Sequence, residues 1–233
     1  MYSNYQIYSS SLEELSTKKL LINTINAHSY NTSLQNKEFQ DALLASDVLL
    51  PDGIGVVWAE RKLNKRVIKK IAGEDIFLFE MQRLNAINGR CFFLGSSNDV
   101  LSKIKKRAAK EFPNVKIKTY SPPYKHDFSI TDTQQMLNEI NVFKPEVLFI
   151  GMTAPKQEIW AYTNFDKIEA IRVISIGAVF DFYAKTNRRA PEFLVRLNLE
   201  WLYRFIKEPK RMFVRYVLGI PLFFINIYSS KLY

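Results

Sequence analysis

The chain has 233 residues, 47% of them apolar, and a formal net charge of +10. That length and apolar content support a full hydrophobic core and exclude a disordered or low-complexity chain. The one cysteine, Cys91, permits no internal disulfide and fits a reducing compartment.

In chain order, residues 11–22 read as a helix, with Ser11 as N-cap and Glu14 completing a capping box. Residues 22–31 read as polar and turn-like around Asn26 and His28. A short helix follows over 38–45, then a short strand over 48–50, stopped by Pro51-Asp52-Gly53, then a helix over 54–62. Asp52 therefore lies where strand gives way to helix. A carboxylate held there by the fold suits catalysis, and a plain turn or N-cap aspartate is the alternative. Residues 62–70 are strongly basic and lead through Ile71-Ala72-Gly73-Glu74-Asp75 into an amphipathic helix. A strand over 91–94, the turn Gly95-Ser96-Ser97 and a helix over 98–112 form a unit able to hold a diphosphate on turn N–H groups. With one glycine, it lacks both the dinucleotide fingerprint and the Walker A pattern. A strand over 115–120, a loop over 121–132 and a helix over 133–143 complete this half.

The stretch 147–160 (VLFIGMTAPKQEIW) organises the rest. An apolar run reaches Gly151, passes a polar turn and opens a helix with Lys156, Gln157 and Glu158, as strand ends do at the ligand crevice of an open α/β sheet. Residues 91–97 and 173–181 repeat the arrangement, ending at Gly95 and Gly177. The alternation predicts an α/β fold: a Rossmann-like, mostly parallel sheet with helices on both faces. Residues 1–190 would form this body and 191–233 a helical appendage.

The appendage is basic and amphipathic. Between Lys185 and Arg215 there are nine Lys/Arg against three Glu, with Leu194, Leu197, Trp201 and Phe205 on one stripe. Such a segment suits an anionic membrane surface, and a terminal helix docked on the body or a subunit interface is the alternative. No basic-then-apolar leader opens the sequence and no apolar window approaches the roughly 20 residues of a spanning helix, so neither signal peptide nor membrane span is expected. His28 and His126 are far apart, and there is no HExxH, CxxC or Asp-x-Asp, so no metal site and no cofactor is expected. A diphosphate would then be neutralised by Arg, Lys and backbone N–H groups. From residues alone, a sugar-nucleotide transferase, a phosphate-sugar hydrolase or epimerase, and a non-catalytic membrane or nucleic-acid binding module all remain open.

Several motifs taken together resemble the TagA/WecG/CpsF family of bacterial glycosyltransferases. They are Thr24-Ile25-Asn26-Ala27-His28, Leu50-Pro51-Asp52-Gly53, Ala72-Gly73-Glu74-Asp75, Phe93-Leu94-Gly95 and Pro155-Lys156-Gln157-Glu158. Phe180-Asp181-Phe182, Arg189-Ala190-Pro191, Glu200-Trp201-Leu202-Tyr203-Arg204 and Glu208-Pro209-Lys210-Arg211 follow in order. The resemblance implies an inverting, metal-independent transferase. It would move a sugar, typically N-acetylmannosamine, from a UDP-sugar to a GlcNAc-type sugar on a polyprenyl diphosphate at the cytoplasmic membrane face. Asp52 matches the family's catalytic base, and Asn26 and Thr24 match residues near the sugar. Lys70, Asp75, Gly95, Gly151, Lys156, Gln157, Glu158, Gly177 and Asp181 would line the substrate site. Arg189, Arg204, Arg211 and Arg215 would reach the diphosphate and the lipid. Homo-oligomers are also implied, and no nucleic-acid partner. Two departures bear on sugar choice. Lys70 stands where the family has Arg, losing the planar fork, and Tyr183-Ala184-Lys185 fills a region where the family has Gly.

Overall fold

The computed structural model describes residues 2–186, 194, 200–207 and 209–229. Six strands make one sheet: β1 (Leu20–Ile25), β2 (Val48–Pro51), β3 (Arg90–Gly95), β4 (Lys116–Tyr120), β5 (Val147–Gly151) and β6 (Arg172–Ser175), in the order β2-β1-β6-β5-β3-β4. Every pair is parallel. β2, β5 and β6 are buried at every position, as a sheet covered on both faces requires.

The helices are α1 (Ala27–Ser33), α2 (Lys37–Leu44), α3 (Ile54–Leu63), α4 (Gly73–Ala86), α5 (Asn98–Glu111), α6 (Ile130–Phe143), α7 (Lys156–Asn164) and α8 (Val179–Tyr183). Alternation along each strand divides the core. Ile22, Cys91, Phe93, Phe149 and Ile174 pack with α4, α5 and α8 on one face. Leu21, Phe92, Leu148, Ile150 and Val173 pack with α6 and α7 on the other. A third cluster covers the β2 edge, where Ile25 and Leu49 meet Tyr2, Tyr30, Phe39 and Val56. Under the sheet, buried Glu80 of α4 accepts from Arg172 of β6 (2.5 Å) and Arg83 (2.8 Å), which ties helix to strand.

The C-terminal part contains α9 (Glu200–Lys207), α10 (Pro209–Met212), a wider π-type turn over Phe213–Leu218, and α11 (Gly219–Ser229). α11 lies on α1. Asn31 donates to the Gly219 carbonyl (2.7 Å), Asn226 donates to Asn31 Oδ1 (3.1 Å), and the Phe223 ring meets Tyr2 and Tyr30 edge-on. The expected junction at 190–191 lies outside the described residues.

The α/β architecture with helices on both faces is as the sequence predicts, and three local expectations are corrected. Residues 11–22 are not one helix: a 3-10 turn over Leu12–Glu14 ends at extended Leu15, and residues 20–22 belong to β1. Residues 22–31 are not a turn, because they finish β1 and begin α1. Polar Asn23 and Thr24 break the apolar run that marks the other strands, and Asn23 is nonetheless fully buried, donating to Ser46 Oγ (2.9 Å). α6 starts at Ile130, inside the expected loop, because Ser129 and Asp132 cap each other's backbone N–H.

The strand ends are packed without spare room. A methyl on Gly151 would lie 2.3–2.5 Å from the Phe180 ring, and one on Gly95 (φ +116) would lie 2.5 Å from the Gly151 carbonyl oxygen. Phe180 is itself buried against Phe93 (5.4 Å), so it has nowhere to move. Gly151→Ala is expected to cost about 1–3 kcal/mol of stability, the range for overpacking, measured by urea unfolding. Wild-type stability in that variant would contradict this packing.

Candidate active site

All six strands point the same way, so their C-terminal ends share one edge of the sheet. β3 runs through α5 to β4, on one side and one face. β5 runs through α7 to β6, on the other side and the opposite face. Neighbouring strands whose connections diverge leave a crevice beyond their ends, here at the paired Gly95 and Gly151.

At the β1–β2 end, Thr24 pairs with Leu50 and Ile25 with Pro51. The Asp52 N–H donates to the Ile25 carbonyl (2.9 Å), extending the ladder one residue, and Asp52 is half-buried. Asn26 follows β1 as N-cap of α1, its Oδ1 accepting from the N–H groups of His28 (3.0 Å) and Ser29 (3.1 Å). The Asn26 Cβ lies 3.8 Å from where a Cβ on Gly53 would be. Thr24, Asn26 and Asp52 therefore share one strand-end corner. The Ile71 N–H donates to the Pro51 carbonyl (3.0 Å), which brings the segment carrying Lys70 alongside. Asp75 is committed locally: its Oδ2 accepts from the Ala72 N–H (2.7 Å) and caps α4.

At the β5–β6 end, Gln157 folds back from α7. Its Oε1 accepts from the Met152 N–H (3.2 Å) and the Gly177 N–H (3.0 Å), joining the two strand-end loops, and its Nε2 donates to Glu158 Oε1 (2.8 Å). Glu158 is buried, its Oε2 has no hydrogen-bond partner, and burial pushes its carboxyl up to about 7 against the hydrogen bond from Gln157. Lys156 instead reaches outward, donating to the Lys125 carbonyl (2.5 Å) with its Nζ 3.5 Å from the centre of the Phe128 ring. Partial desolvation pulls its ammonium below the usual lysine range. Asp181 accepts from Thr186 Oγ1 (3.3 Å) just past α8.

The structure thus gathers Thr24, Asn26, Asp52, Gly95, Gly151, Gln157 and Gly177 on one edge. Asp75 and Lys156 have structural partners of their own, and Gln157 and Glu158 stand behind the loops as supports. Arg215 is half-buried in the π-type turn, while α9 and α10 carry Arg204 and Arg211. Arg189 lies outside the described residues. Sequence reasoning missed the capping role of Asn26, since no helix was expected there; an Asn three residues before a Ser was the available signal. Among the described residues no cluster of three or more His, Cys, Asp or Glu is arranged for a metal, and no helix is long and apolar enough to cross a membrane.

The chain matches the profile described as the glycosyl transferase WecG/TagA/CpsF family over residues 5–233. It is 31% identical over 211 residues to an N-acetylglucosaminyldiphosphoundecaprenol N-acetyl-beta-D-mannosaminyltransferase of Bacillus subtilis (strain 168), covering 91% of this chain and 80% of that protein. It is 30% identical over 189 residues to the enzyme of the same name from Bacillus spizizenii, covering 81% and 71% of the two chains. With the Staphylococcus aureus (strain MW2) enzyme of that name the identity is 26% over 216 residues, covering 93% and 82%.

Glu158 generates a pH prediction. Its folded value, about 7, stands above the ordinary 4.5, so between those values the folded state holds a proton that the unfolded chain has lost. Its contribution is complete below 4.5 and is lost as pH rises toward 7, with a slope of at most about 1.4 kcal/mol per pH unit. Glu158→Gln, which mimics the protonated acid, is expected to flatten the fall in urea-derived stability between pH 5 and about 7. Identical pH profiles for both proteins would contradict the assignment.

Proposed function

We propose a function from this premise: the chain belongs to the glycosyl transferase WecG/TagA/CpsF family. It is a glycosyltransferase, and our reading is that it transfers N-acetylmannosamine from a UDP-sugar to a GlcNAc-type sugar on a polyprenyl diphosphate. The names of its relatives support that acceptor and that sugar. The body would hold the donor, and the segment from 191 onward would meet the cytoplasmic face of the membrane.

The observation that carries the chemistry is the corner where the Asp52 N–H bonds to the Ile25 carbonyl beside Asn26. In our reading the Asp52 carboxylate takes the proton from the acceptor hydroxyl. The hydroxyl oxygen then bonds to the anomeric carbon as the bond from that carbon to the UDP oxygen breaks, and UDP leaves from the opposite face with inversion. With Asn26 Oδ1 held by two backbone N–H groups, its side-chain amide would be the group that meets a sugar hydroxyl, next to Thr24. The donor would lie along the Gly95, Gly151 and Gly177 ends, and the Gln157 bridge would keep the β5 and β6 loops at fixed spacing. Lys70 lies on the segment that the Ile71–Pro51 hydrogen bond brings to that corner. Negative charge building on the leaving diphosphate would be met by arginines of the C-terminal part, Arg204, Arg211 and Arg215, as charge-assisted contacts without a metal.

The test is UDP release from UDP-N-acetylmannosamine with EDTA present, with and without a GlcNAc-diphospho-lipid, comparing wild type with Asp52→Asn. We expect acceptor-dependent release that survives EDTA and falls about 10²–10⁴-fold in the variant, the range for loss of a general base. Release without acceptor would instead indicate a UDP-sugar hydrolase or epimerase. Full activity of the variant would remove Asp52 from the mechanism.

A further inference from the structure

Apart from Lys70, the basic run from Arg61 has no place in the chemistry above, yet the fold holds it in a defined position. From Arg61 to Lys70 there are six Lys/Arg and no acidic residue. The segment is pinned. Arg66 stays at the surface but is tied down by buried Glu60 (3.3 Å), the Ile7 carbonyl (3.1 Å) and Ser9 Oγ (2.7 Å). Ile68 is buried in the cluster that holds Phe223 and Ile227 of α11. With residues 66 and 68 anchored, the residue between them is driven outward. Val67 is 87% exposed, and Lys65 and Lys69 on either side are exposed too.

α3 and α11 share that buried cluster with Ile68 and also present apolar side chains to solvent. Ile54, two residues after Asp52, is 57% exposed, and Ile225 of α11 is 60% exposed. Between them Trp58 packs edge-on against Phe224 (4.7 Å) and Tyr228 (6.3 Å), with Lys62 Nζ 5.9 Å from its ring centre. Exposed aliphatic side chains, Trp and Tyr at their margin, and cations without acids are the composition of a surface seated in a bilayer's headgroup region. The unbalanced positive charge selects an anionic one.

We propose that α3 and the segment after it, together with α11, form a body-borne docking surface for an anionic lipid bilayer. The proposal rests on the reading that the acceptor is lipid-linked and deepens it. The body would contact the membrane directly, at the helix that begins beside Asp52, rather than hang from the C-terminal arginines alone. Acceptor sugars standing just above the headgroups would then meet the base without leaving the interface.

The experiment is vesicle flotation of the full chain on phosphatidylcholine with and without phosphatidylglycerol, comparing wild type with K65E/V67E/K69E, all at exposed positions. Wild type should bind the anionic vesicles preferentially. The triple variant should bind them about tenfold or more weakly, with a thermal melt matching wild type. Equal binding by the variant would overturn this surface, as would a wild type indifferent to anionic vesicles. So would a wild-type oligomer that the triple variant dissociates, which would make the surface an interface between copies. The transferase reading is tested separately, by acceptor-dependent UDP release from wild type with a short-chain, water-soluble acceptor, so either idea can fail alone.

Discussion

Two backbone N–H groups, of Met152 and Gly177, converge on one side-chain oxygen of Gln157, and the ends of β5 and β6 are held by that bridge. Strand-end loops have unpaired donors by construction, and burying them unsatisfied would cost about 1–3 kcal/mol each. Gln157 satisfies both from a helix on one face of the sheet. Glu158 completes the arrangement by accepting from the Gln157 amide, which fixes that amide's orientation and keeps its oxygen toward the two N–H groups. On the other side of Gly151 there is no room for a side chain at all, because Phe180 and Gly95 close against it. Amide bridge and close contact together set the spacing of three strand ends, and the crevice takes its width from them.

The charge of the molecule follows the same logic of position. Among the described residues, buried Glu80 is paired with Arg172 and Arg83, and buried Glu60 with Arg66. Most of the remaining excess of Lys and Arg is on the surface, where it costs little to keep and attracts anions. Two concentrations stand out. One is the C-terminal segment of the sequence, with nine Lys/Arg between residues 185 and 215. The other is the run after α3, which the fold pins in place with Arg66 and Ile68. α11, which follows the first of these in the chain, meets the second physically, because its Phe223 and Ile227 share a buried cluster with Ile68.

Much of this was legible beforehand, for a physical reason. Strands buried on both faces must be apolar at successive positions, so β2, β3, β5 and β6 stand out, and their glycine ends mark the edge where ligands bind. β1 did not stand out, because Asn23 and Thr24 interrupt it. A buried Asn is tolerated there only through a partner, Ser46, that is remote in sequence. Asp52 was legible as a strand-to-helix residue, since position alone singles it out. The role of Gln157 was not: spacing cannot tell that a side chain folds back over its own helix to bind Gly177, twenty residues on. Val67 was hidden likewise, as its exposure depends on where Arg66 and Ile68 find their partners.

In the proposed function the sugar nucleotide occupies the shared strand-end edge. Hydrogen–deuterium exchange of the full chain with and without UDP addresses it directly. Slowed exchange is expected in peptides spanning the Gly95, Gly151 and Gly177 turns, with the Asp52 corner responding further when the sugar is attached. Protection confined to α5, α6 or the outer surface of α2, with those turns unchanged, would contradict it.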